Sequence, residues 1–193
     1  MYVKANIDDC AIIINDFLPD NLFKQISNTS FNYHEHLNSH KEWDKDLYND
    51  IKNVKTMERV NYTDSLANIK DGKIKTNIEI LNNFCQILID CPFIPYQKKS
   101  QMDISHYEYQ KFSGINWHND VNYTLNYSFY IHSNWDKNWG GETLIDTGRG
   151  LPLVSYPYPN SLLAIKNGIQ HKVCPVTGPN KRKVLQIRGV FYE

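Results

Sequence analysis

The sequence predicts an α+β domain in which helices near the N-terminus support a β-rich second half. Two helix-like segments precede residue 95, and short β-rich runs follow one another after it. No repeat or Gly/Ser linker divides the 193 residues, which suffice for one hydrophobic core. We therefore expect a single domain over 1–193, with helical support and loops over 1–100 and the β core over 101–193.

The first half of the chain contains one predicted strand and two predicted helices. Ala11 to Ile14 form a short apolar run typical of a buried strand, and Pro19 favours a helix start with Leu22, Phe23 and Ile26 facing inward. Apolar residues at helical spacing predict a second helix from Lys73 to Asp90, which Pro92 ends. The polar stretch 29–68 between them predicts loops and one irregular helix.

The second half alternates between β-rich runs and turn residues. The runs are MDISHYEY, NYTLNYSFYI, ETLID, SLLAI, HKV and KVLQIRGVFY, and the breaks between them are FSG, NWGG, DTGRG, PYPN and TGPN. Many short strands at such spacing predict a sandwich or a barrel.

Composition narrows the classes of partner and compartment. The 21 basic and 21 acidic residues balance, so no overall positive field favours nucleic acid. No apolar run reaches the roughly 20 residues of a membrane span, and Asp8 and Asp9 interrupt the N-terminal segment where a signal peptide needs an apolar core. Four cysteines without a CxxC pair indicate thiols in a reducing compartment. We expect a cytoplasmic protein with no membrane partner.

Three His-x-acid pairs are candidates for a metal site: His40-Lys41-Glu42, His106-Tyr107-Glu108 and His118-Asn119-Asp120. Iron sites for O2 chemistry commonly use two His and one carboxylate, and residues two apart on an extended segment point the same way. His40 lies in the polar stretch and His106 lies mid-strand, whereas His118 follows the turn FSGIN and precedes a long strand. The position beside a turn favours His118 and Asp120 as ligands.

His171 is the preferred third ligand. It follows the buried run SLLAI and a Gly-containing turn, and it opens the short strand HKV. His132 is the competitor; it ends a strand before SNWD and is interpreted as a surface residue or as support for the ligands.

Four segments in order resemble the iron(II)/2-oxoglutarate oxygenases, specifically their prolyl-hydroxylase-like branch. They are YQKFSGINWHND at 109–120, YIHSNWDKNWGGE at 130–142, HKVCPV at 171–176, and a basic residue about ten further on, before a strand with an aromatic end. The N-terminal segment IIINDFLPDNLFKQI is also similar to the opening strand and helix of that family.

The resemblance implies a double-stranded β-helix, which is a distorted jelly roll, buttressed by the N-terminal helices. It gives His118, Asp120 and His171 the role of catalytic Fe(II) ligands, with 2-oxoglutarate and O2 as cosubstrates and succinate and CO2 as products. Ascorbate would be a possible accessory reductant. Tyr130 matches the tyrosine that contacts the far carboxylate of 2-oxoglutarate, and Tyr109 is a weaker candidate for the same pocket.

Three basic residues compete to bind that far carboxylate. Arg182 is favoured over Arg188 and Lys181 because it fits best by counting back from the aromatic end of the last strand. Strand alternation would point Arg182, Val184, Gln186 and Arg188 inward together. Trp117, Trp135 and Trp139 are interpreted as packing residues, Gly140 and Gly141 as conformational glycines, and Glu142 as structural.

Hydroxylation of a prolyl residue in a peptide or protein is the function that the resemblance implies. One alternative is a nucleic-acid alkylation-repair oxygenase, because Arg182-x5-Arg188 is similar to an arginine pair of that family. A second alternative is a metal-binding jelly-roll module without oxygenase activity. A cupin-type enzyme is disfavoured by the single carboxylate and the lack of further His ligands.

Overall fold

The computed structural model describes residues 2–7, 10–33, 60–94 and 100–191, which contain thirteen strands, two α-helices and one short 3-10 helix (Lys137–Trp139). The helices are α1 (Asp20–Ser27) and α2 (Glu79–Asp90). The strands before residue 100 are β1 (Tyr2–Ile7), β2 (Ala11–Asn15), β3 (Val60–Tyr62), β4 (Ala67–Lys70) and β5 (Lys73–Thr76). The later strands are β6 (Ser100–Tyr109), β7 (Ile115–His118), β8 (Leu125–Tyr130), β9 (Thr143–Ile145), β10 (Leu153–Ser155), β11 (Leu162–Lys166), β12 (His171–Val173) and β13 (Arg182–Phe191).

The strands form two antiparallel sheets. The major sheet has the order β1-β2-β11-β8-β13-β6-β4-β5, with β3 also pairing with β6. The minor sheet has the order β10-β9-β12-β7. Apart from the pair β9 and β10, which both lie in the minor sheet, consecutive strands of the second half alternate between the two sheets. This gives the double-stranded β-helix expected from the sequence and confirms the α+β jelly-roll prediction.

Two apolar cores hold this arrangement together. The first packs the helices against the major sheet; it includes Ile26 of α1, Phe84 and Leu88 of α2, Phe129 of β8 and Leu185 of β13. The second fills the space between the two sheets, where Ile115, Ile145, Leu163, Val173 and Val184 meet. Because strand residues alternate in direction, β13 supplies Leu185 to one core and Val184 to the other.

The strand at Ala11 and the helix after Pro19 are confirmed, and the buried side chains Leu22 and Ile26 face the core as expected. The prediction that the second helix begins at Lys73 is wrong. Residues 67–76 form the hairpin β4–β5, whose turn residues Asp71 and Gly72 have φ of 51° and 72°. An Asp-Gly pair with both φ positive suits a two-residue hairpin, so this local signal overrides the helical spacing.

The helix itself begins where the hairpin is anchored. Thr76 Oγ1 donates to the Leu66 carbonyl at 2.8 Å and accepts from the Ile78 N–H at 3.0 Å, and α2 starts at Glu79. It ends at Asp90, in agreement with the helix stop expected before Pro92. Strands β3 and β4 occupy part of the stretch expected to be loops, whereas 34–59 lie outside the described residues.

Neither described helix is long and apolar enough to cross a membrane. No disulfide joins the four cysteines, all of which lie in described parts of the chain, as their spacing predicted.

Candidate active site

His118 and His171 face each other across two strands of the minor sheet. They are direct partners in the antiparallel register of β7 and β12, and their ring centroids lie 4.3 Å apart. His118 is the last residue of its strand and His171 is the first residue of its own. Both imidazoles therefore lie at the same end of these two strands, at the mouth of the space between the two sheets.

The two imidazoles are held in the same way. The Nδ1 atom of His118 lies 2.7 Å from the carbonyl oxygen of Asn116, and the Nδ1 atom of His171 lies 3.0 Å from that of Ile169. A carbonyl oxygen only accepts, so each Nδ1 carries a hydrogen and donates it. These hydrogen bonds leave Nε2, the other ring nitrogen, for a metal.

Asp120 completes a set of three donors. Its Oδ2 atom lies 3.5 Å from Nε2 of His171, and one donor atom from each of His118, Asp120 and His171 lies within 4.8 Å of the others. Two imidazoles and one carboxylate are the donors that Fe(II) uses in O2-activating sites, where the rest of the coordination sphere stays open. The residues present thus fit the metal expected from the sequence.

A chain of polar side chains supports Asp120. Ser128 Oγ donates to Gln186 Oε1 at 3.0 Å, the Gln186 amide donates to Asn126 Oδ1, and the Asn126 amide donates to Asp120 Oδ2. Ser128 and Gln186 are opposite each other in the register of β8 and β13. The chain fixes the orientation of the Asp120 carboxylate from inside the major sheet.

The electrostatic environment keeps the donors ready for a cation. Burial, followed by the neighbouring His171, lowers the pKa of His118 below 6.5. Burial alone would raise the pKa of Asp120, but the hydrogen bond with His171 and the charge of Arg188 outweigh it and leave that pKa below 3.8. At neutral pH the donor set therefore holds a neutral His118 and a charged Asp120.

The donors open into a pocket between the two sheets. Its lining combines apolar residues of the second core with polar residues of β8 and β13. These are Tyr109, Ile115, His118, Asp120, Asn126, Ser128, Thr143, Leu163, Ile165, His171, Val173, Arg182, Gln186 and Arg188.

Arg182 lies at the buried end of this pocket. It is 1% exposed, and its Nη2 atom lies 3.3 Å from the Tyr130 hydroxyl and 3.5 Å from Oγ1 of Thr143. Its guanidinium carbon lies 4.6 Å from the centre of the Tyr109 ring. No carboxylate pairs with Arg182 among the described residues, and its buried Nε has no hydrogen-bond partner there. A buried cation without an anion is costly, so this end of the pocket suits a negatively charged ligand.

The other two basic residues are placed differently. Lys181 is half exposed and forms an ion pair of 2.6 Å with Glu108, outside the pocket. Arg188 lines the pocket, six residues along β13 from Arg182, where Tyr107 and Tyr123 surround it. The expected inward face of Arg182, Val184, Gln186 and Arg188 is present, because Val184 belongs to the core between the sheets and the other three line the pocket.

Other residues singled out in the sequence have structural positions. His132 is buried and stacks on Trp135; its Nε2 lies 2.6 Å from the Pro157 carbonyl, so it is a core residue and the surface interpretation is wrong. His106 is buried mid-strand on the face away from the pocket, and His40 lies outside the described residues. Trp117 is 40% exposed beside His118, so its interpretation as a packing residue is wrong, whereas Trp135 packs as expected.

The conformational interpretation of Gly140 and Gly141 is confirmed. Both have positive φ, and a Cβ on Gly140 would lie 2.1 Å from the Pro175 carbonyl oxygen. A Cβ on Gly141 would lie 3.3 Å from Cδ of Arg182, so this glycine leaves room for the buried arginine.

Sequence reasoning missed Asn126 and Thr143 as parts of the site, and it placed Gln186 on the inward face of the last strand without assigning it a role. Alternation along β8 places Asn126 and Ser128 on the face of Tyr130, and this signal was available. The Gln186–Asn126 contact depends on the register of β13 against β8, which no local pattern reveals.

Comparisons with known proteins agree with this geometry. Residues 102–187 match the family model of the 2OG-Fe(II) oxygenase superfamily. A comparison with curated proteins gave no match. Among solved structures, a prolyl-4-hydroxylase from Pseudomonas putida aligns with a TM-score of 0.61 and 14% identity over 96% of this chain and 94% of that one.

Two further solved structures have the same fold. A Trichoplax adhaerens prolyl hydroxylase, solved with a peptide fragment of hypoxia inducible factor, aligns with a TM-score of 0.58 and 14% identity over 96% of this chain and 85% of that one. A viral collagen prolyl hydroxylase from Paramecium Bursaria Chlorella virus-1, solved with 2OG, aligns with a TM-score of 0.58 and 12% identity over 95% of this chain and 98% of that one. Residues 102–187 are thus similar to the 2OG-Fe(II) oxygenase superfamily, and the fold of the chain is similar to that of prolyl hydroxylases.

Proposed function

We propose that this chain is an Fe(II)- and 2-oxoglutarate-dependent dioxygenase that hydroxylates a prolyl residue of a peptide or protein. The observation that carries the proposal is the joint presence, in one pocket, of a His-Asp-His donor set and a buried arginine without an acidic partner among the described residues. The first matches the metal of the superfamily, and the second matches its dianionic cosubstrate.

In this proposal His118, Asp120 and His171 bind Fe(II) through Nε2, a carboxylate oxygen and Nε2. With only three protein donors, a bound ion would keep positions open for 2-oxoglutarate and O2. Bound Fe(II) would supply the oxidising chemistry, in which 2-oxoglutarate is converted to succinate and CO2 while a substrate C–H bond is hydroxylated. The carbonyls of Asn116 and Ile169 hold the two imidazoles in the tautomer that this role requires.

Arg182 would bind the far carboxylate of 2-oxoglutarate. Its planar guanidinium offers paired donors to a carboxylate, and the hydroxyls of Tyr130 and Thr143 stand within 3.5 Å of it to complete the contact. The ring of Tyr109 lies against the guanidinium and fixes its plane. Full burial strengthens this charge–charge contact and keeps water from competing with the ligand.

The prolyl substrate rests on the likeness of the fold to prolyl hydroxylases, one of which was solved with a peptide. That likeness is at 14% identity, so it supports the substrate class through the fold alone. The alternative of an alkylation-repair oxygenase is favoured by the presence of both Arg182 and Arg188 in the pocket and is opposed by the zero net charge.

Binding and turnover test the proposal together. The wild-type protein is titrated with Mn(II) and then with N-oxalylglycine, an inert analogue of 2-oxoglutarate, and succinate release is measured with Fe(II). We expect both ligands to bind, and we expect His118→Ala to lose Mn(II) binding and succinate release. The exposed carboxylate variant Asp146→Asn is the matched control and should behave as the wild type. Succinate release by folded His118→Ala protein would overturn the ligand assignment.

A prolyl peptide and a methylated oligonucleotide are then compared as substrates. Stimulation of succinate release by the peptide, with a gain of one oxygen atom in its mass, is the expected result. Stimulation by the oligonucleotide alone would replace the proposed substrate with the alternative.

A further inference from the structure

Arg188 is a second arginine in the pocket, and the proposed reaction assigns it no role in binding the metal or 2-oxoglutarate. It lies six residues from Arg182 on the same face of β13, and strand residues rise about 3.3 Å each, so the two Cα atoms are about 20 Å apart. Gln186, which belongs to the chain of hydrogen bonds behind Asp120, stands between them. The two guanidinium groups therefore lie towards different ends of the pocket.

Two tyrosines hold the Arg188 guanidinium in place. Its Nη1 donates to the Tyr107 hydroxyl at 3.0 Å, and its central carbon lies 5.5 Å from the Tyr107 ring centre and 5.4 Å from that of Tyr123. Cation–π contacts on both sides fix the plane of the group. A guanidinium has five N–H donors, and this hydrogen bond uses one of them, while the buried Nε has no partner.

No acid neutralises Arg188 among the described residues. Asp103 is opposite it in the register of β6 and β13, but that carboxylate accepts a hydrogen bond from Ser65 and forms no ion pair with Arg188. Asp120 is bound by the Asn126 amide and lies beyond ion-pair distance, although the charge of Arg188 acts on it. Arg188 lines the pocket, and its buried Nε has no hydrogen-bond partner among the described residues.

The charges of the loaded pocket do not balance. Its charged lining residues are Asp120, Arg182 and Arg188. A divalent metal cancels the two charges of 2-oxoglutarate, and Asp120 cancels one arginine. One positive charge remains in a buried site, which is costly unless another anion enters. Among the components of the reaction, the substrate that is hydroxylated (the prime substrate) remains as the source of this anion.

We propose that Arg188 binds a carboxylate of the prime substrate, so that the substrate is an acid: a free amino acid, or a residue next to a carboxylate side chain in a peptide. The assignment rests on the proposed oxygenase function and names the substrate class for that same site. Arg188 thereby positions the substrate on the Asp120 side of the metal, away from the 2-oxoglutarate end at Arg182.

The experiment uses acid–amide pairs as probes. The wild-type protein, loaded with Mn(II) and N-oxalylglycine, is titrated by calorimetry with free proline and with prolinamide. A second pair consists of the blocked dipeptides N-acetyl-Pro-Asp-amide and N-acetyl-Pro-Asn-amide, which separates a free amino acid from an acidic peptide as the source of the carboxylate. The acid of at least one pair should bind about tenfold more tightly than its amide, as expected for a charge-assisted contact.

Three variants test whether Arg188 causes the preference for the acid over the amide. In Arg188→Gln the acid and the amide should bind alike, while the Kd of N-oxalylglycine stays within about twofold of the wild-type value. Arg188→Lys keeps the positive charge but loses the paired N–H donors of the guanidinium, so it should retain part of the preference for the acid over the amide. Lys166→Gln removes a positive charge from an exposed strand end. It should change neither the preference for the acid over the amide nor the Kd of N-oxalylglycine.

The outcomes that overturn the assignment are distinct. If the wild type binds the acid and the amide alike, or if Arg188→Gln keeps the preference for the acid, Arg188 does not bind a substrate carboxylate. A tenfold loss of N-oxalylglycine affinity in Arg188→Gln assigns the residue to the cosubstrate instead. Failure of the wild type to bind Mn(II) and N-oxalylglycine at all overturns the proposed function itself, which the other outcomes leave standing.

Discussion

His118 and His171 are register partners on neighbouring antiparallel strands, although 53 positions separate them in the sequence. The spacing of the two imidazoles is set by the sheet and does not depend on a flexible loop. A slip of one residue between β7 and β12 would turn one ring to the opposite face. The backbone thus prepares two of the three proposed metal ligands before any metal binds.

Arg182→Gln should weaken 2-oxoglutarate binding. The variant loses a charged contact while the donor set stays intact, so we expect the KM for 2-oxoglutarate to rise roughly 10- to 100-fold. Succinate release is measured over a range of 2-oxoglutarate concentrations. Arg149→Gln, which removes a positive charge from an exposed loop, is the matched control. A larger effect of the control than of Arg182→Gln would exclude Arg182 as the cosubstrate arginine.

Asn126→Ala should lower metal affinity without removing a ligand. The Asn126 amide donates to Asp120, and loss of such support typically costs 10- to 100-fold in metal affinity. Ser128→Ala, two steps further along the same chain of hydrogen bonds, should have a smaller effect. Mn(II) titrations of both variants check this order. Equal Mn(II) affinity in wild type and Asn126→Ala would show that Asp120 is held by other means.

Metal binding should depend little on pH above neutrality and weaken in acid. Because burial lowers the pKa of His118 below 6.5, this ring needs no deprotonation at pH 7, and the lowered pKa of Asp120 keeps its carboxylate charged. Below the lowered His118 pKa a proton competes with the metal, by about tenfold per pH unit. Calorimetric titration with Mn(II) at pH 8, 7 and 5.5 measures this. A tenfold loss between pH 8 and 7 would contradict the neutral-ring assignment.

Acid should also destabilise the fold through two buried histidines outside the metal site. Burial, then the charge of Lys183, lowers the pKa of His106 to about 3, and burial lowers that of His132 to about 4. In the unfolded chain both rings titrate near 6.5, so the unfolded state gains protons first as pH falls through 6.5. At pH 5 each ring should cost about 2 kcal/mol of stability relative to pH 7.5.

Urea unfolding of wild type and His106→Phe at both pH values tests this expectation. The pH-dependent loss should fall by about half in the variant, because the His132 contribution remains. An identical loss in both proteins would mean that His106 is already charged at pH 5 in the folded state.

Strand alternation predicted that His118 and Asp120 point the same way and that Arg182, Gln186 and Arg188 share one face of β13. His-x-Asp beside a turn and the inward face of β13 needed no knowledge of distant partners. Helical spacing over 73–90 failed at its start, because the Asp71–Gly72 turn decides the local conformation. The support of Asp120 by Asn126 and Gln186 could not be predicted, since it depends on which strands become neighbours.

Because His118 and His171 are far apart in the sequence, they emerge from the ribosome at different times during synthesis. His118 and Asp120 leave the exit tunnel together, but a nascent chain at that stage offers only two donors on an edge strand that lacks its neighbour. His171 leaves the tunnel only after the residues between 120 and 171 have been made, and Arg182 follows it. The complete donor set therefore cannot hold iron before His171 has emerged, and translation stalled before His171 would release a product without a complete cation site.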